Sequence, residues 1–574
     1  MATVGQDIAK GSLGTRLAVW RAGLSRPARA FLSQPEPRTI GLFARGRQLV
    51  AGNFLFAGKL VEAPGRAIWD IVPPDRDFAA EAQGFVWLDD LAAFGDSAAR
   101  KRAQDWTFGW IARCGRGRGP GWTPDLTGRR LIRWINHSVL LLQGQDRARS
   151  ETYFRALTVQ THFLARRWMR AQPGLPRFEA LTGLIVAGLA LEGKAGLVRQ
   201  AVAALARDCQ REVDVGGGIP TRNPEDLLEV LTLLNWAAQA LSEGGRPVPP
   251  ELPAAIGRIV PTLRALRHAD GGLARFHGGG RGIEGRLDQA LAASGLRGGA
   301  VSGGPAMGFV RMASGRSTVI VDAASPPDGA AGGNAHASTL AFELTSGRRP
   351  VIVSCGSGRP FGADWQLAGR ATASHSTLAL EGSSSSRLGK GGAEFAARAP
   401  ILGLQQAQDH GGVHVSAAHG GWIGSHGLTH ARILTLDGQG RRLTGTDLLE
   451  ARSAADRKRL AAILSQRPEG VAFAVRFHLH PDVDAALDLG GTAVSLALKS
   501  GEIWVFRHDA AAKLSVEPSA YLEKGRLQPR ATKQIVLSAL AGGFETRIGW
   551  TLAKAQDTPL AIRDLDREEL PVPV

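Results

Sequence analysis

Apolar residues recur at helical spacing through roughly the first half of the chain and at alternate positions through the second. In LIRWINHSVLLLQG, Leu131, Ile135, Val139 and Leu142 fall at steps of four, four and three, which places them on one helical face. SETYFRALTVQTHFLARRW repeats the pattern with Phe154, Leu157, Thr161 and Leu164. LTGLIVAGLALEG, GLVRQAVAALARDCQREV, PEDLLEVLTLLNWAAQALS and LPAAIGRIVPTLRALRH follow, with Gly or Pro at the joins. Pro224 suits a first helical turn, and Glu225 and Asp226 come next, where the helix dipole favours acid. The pattern predicts a succession of antiparallel helix pairs. Ahead of them, Leu13, Leu17, Trp20 and Leu24 at steps of four, three and four predict one more amphipathic helix in a basic arm, residues 1–40. That arm reads either as a surface helix or as a peripheral membrane contact.

Beyond about residue 300 the period becomes two. MGFVRMASGRSTVIVDAA, TLAFELTSGRRPVIVSCG and THARILTLDGQGRRLTGTDLLEA read as hairpins turning at Ser314-Gly315, Ser346-Gly347 and Asp437-Gly438. FAVRFHLHP, AVSLALKSGEIWVFRH and KQIVLSALAGGFETRIGWTL continue the alternation, and GSSSSRLGKGG (382–392) reads as a loop. Many short strands with turns between them predict a large antiparallel β-sandwich. The fold class is α+β and multidomain: a helical domain over 41–295 and a β domain over 296–574.

Charge and cysteine content narrow the function classes. Lys and Arg number 69 against 52 Asp and Glu, a net +17, which favours an acidic partner such as nucleic acid, anionic membrane or anionic glycan. The basic residues are dispersed and no nucleic-acid-binding signature accompanies them, so nucleic acid is set aside. The three cysteines form no CxxC pair and read as reduced and structural. HGGGRG lacks a surrounding βαβ unit, which argues against dinucleotide binding. No apolar run approaches a bilayer span and no secretory signal core is visible, so the expected location is cytoplasmic.

Histidine carries the candidate chemistry. GGNAHASTLAFELTSGRRPVIVSCGSG and RATASHSTLAL bring Asn334, His336, Ser354, Cys355 and His375 to adjacent strands or their ends. Two histidines on neighbouring strands can hold a divalent metal such as zinc, or one can serve as a base. Here His336 and His375 are the candidate metal ligands. No carboxylate is obvious beside them, and Ser354 or Cys355 takes its place.

These segments resemble the C-terminal domain of heparinase II/III-like polysaccharide lyases. The matching residues are Asn334-Ala335-His336, Ser354-Cys355-Gly356 and His375-Ser376-Thr377, followed by RFHLHP (476–481), VEPSAYL (516–522), KQIVLSAL and IGWTL. The resemblance implies an incomplete N-terminal α/α toroid ahead of the sandwich. It also implies β-elimination on an acidic, uronate-containing polysaccharide, and work in the periplasm or cell envelope. In the helical half, DWTFGWIARCGRGRGPGWTPDLTGRRLIRWINHSVLLL and VGGGIPTRNPEDLLEVLTLL are similar to the family's toroid, with departures. The family's Tyr-His pair falls near Asp226-Leu227 and its Asn-His pair near Glu179 to Leu181, and neither pair is present. Its first sandwich histidine is Asn334 and its metal-site aspartate is Ser354.

A uronate lyase neutralises a carboxylate, removes the proton beside it and protonates the leaving oxygen, a task usually shared by Tyr, His, Asn and Arg. Only Tyr153, in mid-helix, and Tyr521, in the C-terminal strands, carry a phenol. A histidine must therefore take the phenol's part, with His137, His162 and His336 available. The site expected on this basis has Asn334, His336 and His137 as catalytic residues, and Asn136, Arg222 and Asn223 holding substrate. The competing expectation is a catalytically inactive glycan-binding or envelope-assembly protein that keeps the lyase fold.

Overall fold

The computed structural model describes residues 13–33, 36–297 and 304–557. Helices occupy the N-terminal half, and two large antiparallel sheets occupy the C-terminal half. Pro124 and Pro224 open their helices at the first turn, and the Asn223 side chain caps the second by accepting from the Glu225 and Asp226 amides. Helix Leu175–Ala190 lies between Pro124–Asn136 and Pro224–Glu243, which in turn packs on Glu251–Ala265. Contact with Pro124–Asn136 is made glycine to glycine: a Cβ on Gly183 would collide with the Gly128 Cα. The helical core is unusually aromatic. Trp87, Trp106, Trp110 and Trp134 are fully buried around Phe85, and the Arg130 guanidinium lies 4.0 Å from the Trp110 ring centre.

The basic arm is not separate from this body. Helix Leu13–Gly23 turns Ala18, Val19 and Ala22 inward and packs on helix Arg147–Arg167. One hairpin, Asn53–Phe56 with Lys59–Glu62, interrupts the helices; it is too short to register in the hydrophobic pattern. The boundary placed at 295/296 follows the helix Arg286–Ala293 and precedes residues 298–303, which lie outside the described residues.

All three hairpins turn where their Gly-containing dipeptides stand. One sheet runs, in spatial order, Ile401–Asp409, Gly412–Trp422, Leu428–Asp437, Arg442–Glu450, Glu545–Gln556, Ile503–His508, Ala493–Leu498 and Val483–Asp488. The other runs Lys513–Tyr521, Arg530–Ala541, Val471–Leu479, Arg349–Val353, Phe342–Ser346, Ser317–Asp322 and Phe309–Ser314, with Leu378–Leu380 also paired to Val471–Leu479. Phe342, Phe477, Phe506 and Trp550 fill the space between them. A short ladder between Arg387–Leu388 and Phe395–Ala397 occupies part of the stretch read as loop.

Arginines fasten the two halves together. Arg222, at the start of the helix Pro224–Glu243, donates to the carbonyls of Met307, Gly308, Ala324 and Ser325 and to Asp322 Oδ1 at 2.5 Å. Arg275 donates to the carbonyls of Ser354, Cys355 and Leu522. Lys524 pairs with Glu225, and Arg359 makes a two-pronged pair with Asp77 at 2.8 and 2.9 Å.

Candidate functional site

Where toroid meets sandwich, three histidines line up. His277 lies in the loop between the helices Glu251–Ala265 and Arg286–Ala293, His336 follows the short 3-10 helix Gly329–Asn334, and His375 follows the turn Thr372–Ser374. Ring centres of His277 and His336 are 6.1 Å apart, and those of His336 and His375 are 5.0 Å apart. All three side chains are buried. The first two are bound reciprocally: the His336 amide donates to His277 Nδ1 at 3.2 Å, and the Gly278 amide donates to His336 Nε2 at 3.1 Å. This places the ring proton of His277 on Nε2, which faces Asp322 Oδ2 at 3.4 Å. His277 holds a left-handed backbone (φ 49°), an unfavourable conformation for a bulky ring side chain that the surrounding bonds maintain.

Electrostatics keep these rings neutral. Burial is the largest effect on each, lowering His277, holding His336 well below the ordinary range and taking His375 down to about 3. Their proximity adds to this, since a proton on one ring would oppose a proton on the next: His375 and His277 act on His336, and His277 acts on His375. Burial pushes the Asp322 carboxyl up, but Arg222, His277 and Ser338 outweigh it and hold it well below the usual carboxylate range. Asp322 is therefore an anion with its charge already met.

A metal shared by His336 and His375 does not fit these residues. His336 Nε2 is occupied by the Gly278 amide, which leaves only the buried Nδ1 without a partner. The third position is Ser354, whose buried Oγ has no partner and which brings no charge. Among the described residues no group of three or more His, Cys, Asp or Glu is arranged to hold a metal ion. A neutral hydroxyl is a poor zinc ligand in place of a carboxylate. The ring nitrogens of His375 also lack partners of hydrogen-bond geometry; the Gly369 backbone is near enough to favour the charged form without forming such a bond.

The remaining expected residues divide into two groups. Asn334 lies exposed at the junction and accepts from Arg359 Nη1 at 3.4 Å. Arg222 and Asn223 stand close by, but not as substrate ligands. The Arg222 guanidinium is spent on the sandwich, and the Asn223 carbonyl oxygen caps its own helix. His137 and Asn136 belong to a different set within the toroid. His137 Nε2 lies 2.9 Å from Asp89 Oδ1 and 3.1 Å from Thr39 Oγ1, and Asp89 also receives Arg133 at 3.1 Å. Asn136 and His137 are both buried, so neither presents a free group to a ligand.

Neither tyrosine supplies the missing phenol. Tyr153 is fully buried, donates to the Trp134 carbonyl at 2.6 Å, and burial raises its pKa well above the ordinary value. Tyr521 is buried under the Arg275 guanidinium, 4.0 Å from its ring centre, and pushed up to about 12, chiefly by burial. His162, the other candidate base, is lowered to about 4 by burial, Lys194 and Arg166.

Sequence reasoning passed over His277, Asp322 and His478. His277 stood in the HGGGRG segment, set aside once no phosphate loop was found there. Asp322 is an acid ending the apolar run STVIV, a signal that was available. His478 Nδ1 bonds Ser519 Oγ at 2.7 Å and lies 3.5 Å from Cys355 Sγ, and that contact depends on pairings no spacing announces.

Comparison with known proteins agrees with this architecture. The family model "Heparinase II/III-like, C-terminal" matches residues 297–551. FtsZ-localized protein C of Caulobacter vibrioides (strain NA1000 / CB15N) is 31% identical over 552 residues, covering 93% of this chain and 92% of the relative. Among solved structures, heparinase III superposes with a TM-score of 0.67 at 12% identity, over 94% of this chain and 89% of that one. The heparan sulfate lyase HepC from Pedobacter heparinus gives a TM-score of 0.55 at 12% identity, over 95% of this chain and 88% of that one. With the toroid, the sandwich and the full-length relative in agreement, the chain belongs to the heparinase II/III-like family.

Proposed function

We propose that this chain is a non-catalytic member of the family, an assembly protein that keeps the lyase body without β-elimination and works where FtsZ localises. The observation that carries the reading is the absence of a placed proton-transfer pair among the described residues. β-Elimination needs a base at the carbon beside the carboxylate and an acid at the leaving oxygen. Both phenols are buried, His137 is bound to Asp89, and His336 and His375 are enclosed. The cation expected to meet the substrate carboxylate, Arg222, has its bonds directed into the sandwich.

Charges of both signs stand close together beside the junction. Glu81, Asp90 and Asp226 lie where Arg45 or Lys524 acts on them. Burial raises all three, Asp90 to about 7 and Asp226 to about 6. Localisation with FtsZ rests on the relative that matches nearly the whole chain.

The competing reading is a lyase acting on an acidic polysaccharide, supported by the fold and by Asn334 standing exposed at the family's histidine position. Purified protein offered a panel of acidic glycans is expected to give no ultraviolet absorbance from unsaturated uronate, while a fluorescent fusion coincides with FtsZ in its native cell. Turnover that Asn334→Ala abolishes would replace this proposal with the lyase reading.

A further inference from the structure

Each of the two large sheets ends in two edge strands, and an open edge shows a row of peptide donors and acceptors that another extended chain can join. Proline, charge and cover are the ordinary means of keeping an edge from pairing. Three of these edges use them. Strand Phe309–Ser314 lies against the toroid, where Arg311 donates to the Ala265 carbonyl at 3.2 Å and Phe309 packs on Phe276. Strand Lys513–Tyr521 carries Pro518 and the charges of Lys513 and Glu517. Strand Val483–Asp488 carries Asp484 and Asp488, and its Ala485 carbonyl already accepts from Lys533 Nζ at 2.7 Å.

The fourth edge, strand Ile401–Asp409, has none of these. Its sequence ILGLQQAQD holds no proline and no charge before the last residue. It pairs with Gly412–Trp422 on one side and with no other strand among the described residues. Ile401 and Leu404 are half-buried, and the rest of the strand is exposed, Leu402 included. Along an antiparallel pair the peptide groups of every second residue turn away from the neighbour, so one row of this strand faces outward.

Charge limits what can lie beside it. No Lys or Arg stands between Arg398 and Arg432, and Asp409 is the one acid in that stretch, in a chain of net +17. Two copies of a strongly basic chain repel each other, and the repulsion is least where they meet through an uncharged border. The side chains agree. Gln405, Gln406 and Gln408 each bring a donor and an acceptor, so the row is complementary to its own copy run antiparallel, as a row of one charge would not be. A charged peptide would find nothing of opposite sign to pair with until Asp409.

We propose that two copies of this chain associate edge to edge through Ile401–Asp409, antiparallel across a two-fold axis, so that their eight-stranded sheets join into one. In that arrangement the two Asp409 side chains lie at opposite ends of the ladder, and each Leu402 gains cover from the other copy. The pairing involves the sandwich alone and is independent of whether the junction is catalytic.

Sedimentation velocity of the full chain over a concentration series is the test. A monomer–dimer equilibrium is expected, tightening as salt rises from about 50 to about 300 mM, because screening removes the repulsion between the basic bodies. Gln406→Lys and Gln406→Glu each set like charges together near the axis, and each should weaken the dimer about tenfold or more. Mixed in equal parts, the two variants should dimerise again, since opposite charges then meet. Gln406 is exposed, and an unchanged circular dichroism melt shows that each variant remains folded. A parent that stays monomeric at about 0.1 mM overturns the proposal and leaves the edge to an extended peptide of another protein. A dimer that Gln406→Lys leaves intact overturns it too, as does a mixture that fails to restore the pairing.

Discussion

Buried histidines refuse a proton that the unfolded chain accepts, so each should take stability from this protein on acidification well above the usual carboxylate range. His375 and His480 are buried, and burial is the first cause of their fall to about 3. A free histidine titrates near 6.5. A folded pKa below the unfolded one means the unfolded state binds more protons between the two values, so stability is full above about 6.5 and is lost as pH falls towards about 3. At pH 5 the gap already spans about 1.5 units, worth about 2 kcal/mol for each histidine and about 4 for the pair. His336 and His419, lowered first by burial and then by neighbouring histidines, pull in the same direction. Asp90 and Asp226, raised by burial to about 7 and about 6, pull the other way over the same interval, so the histidine contribution has to be read by substitution and not from the whole-protein difference. Urea unfolding followed by tryptophan fluorescence gives the stability of the parent and of His375→Phe at pH 7 and pH 5. The loss between the two pH values should be smaller in the variant by about 2 kcal/mol. Any packing cost of the new ring enters at both pH values and cancels. Equal pH dependence in the variant and the parent would refute the reasoning.

Two further substitutions test the junction. Arg222→Met leaves Asp322 buried with only Ser338 and His277 beside it and should cost about 3–5 kcal/mol in thermal or urea unfolding, part of it recovered in the double variant with Asp322→Asn. Ser354→Asp should supply the missing anionic ligand beside His336 and His375, so the variant should retain zinc through dialysis where the parent does not; elemental analysis of both, with His375→Ala added to the variant as control, decides it.

Much of the fold was legible because helix and strand periods differ and turns are marked by glycine. The three sandwich hairpins and the proline-led helix at 224 depended on local signals alone. The hairpin 53–62 was not legible, since four-residue strands give too short a window for a period. The site was harder to read. Asn334, His336 and His375 were found together because they stand on segments that pair or abut. The surroundings of Arg222 were not legible, because a sequence shows that an arginine follows a turn, not that four carbonyls and a carboxylate across the junction will receive its donors. The partner of His137 was hidden for the same reason: Asp89 lies 48 residues away in sequence.

The fastening of the toroid to the sandwich by Arg222 and Arg275 has a geometric consequence. Both guanidinium groups are directed at backbone carbonyls of the other domain, so the junction is held by main chain and cannot be loosened by a change of side-chain rotamer in the sandwich. Reorienting the sandwich on the toroid would first have to break these carbonyl contacts, so the two halves present their outer faces in one fixed relation.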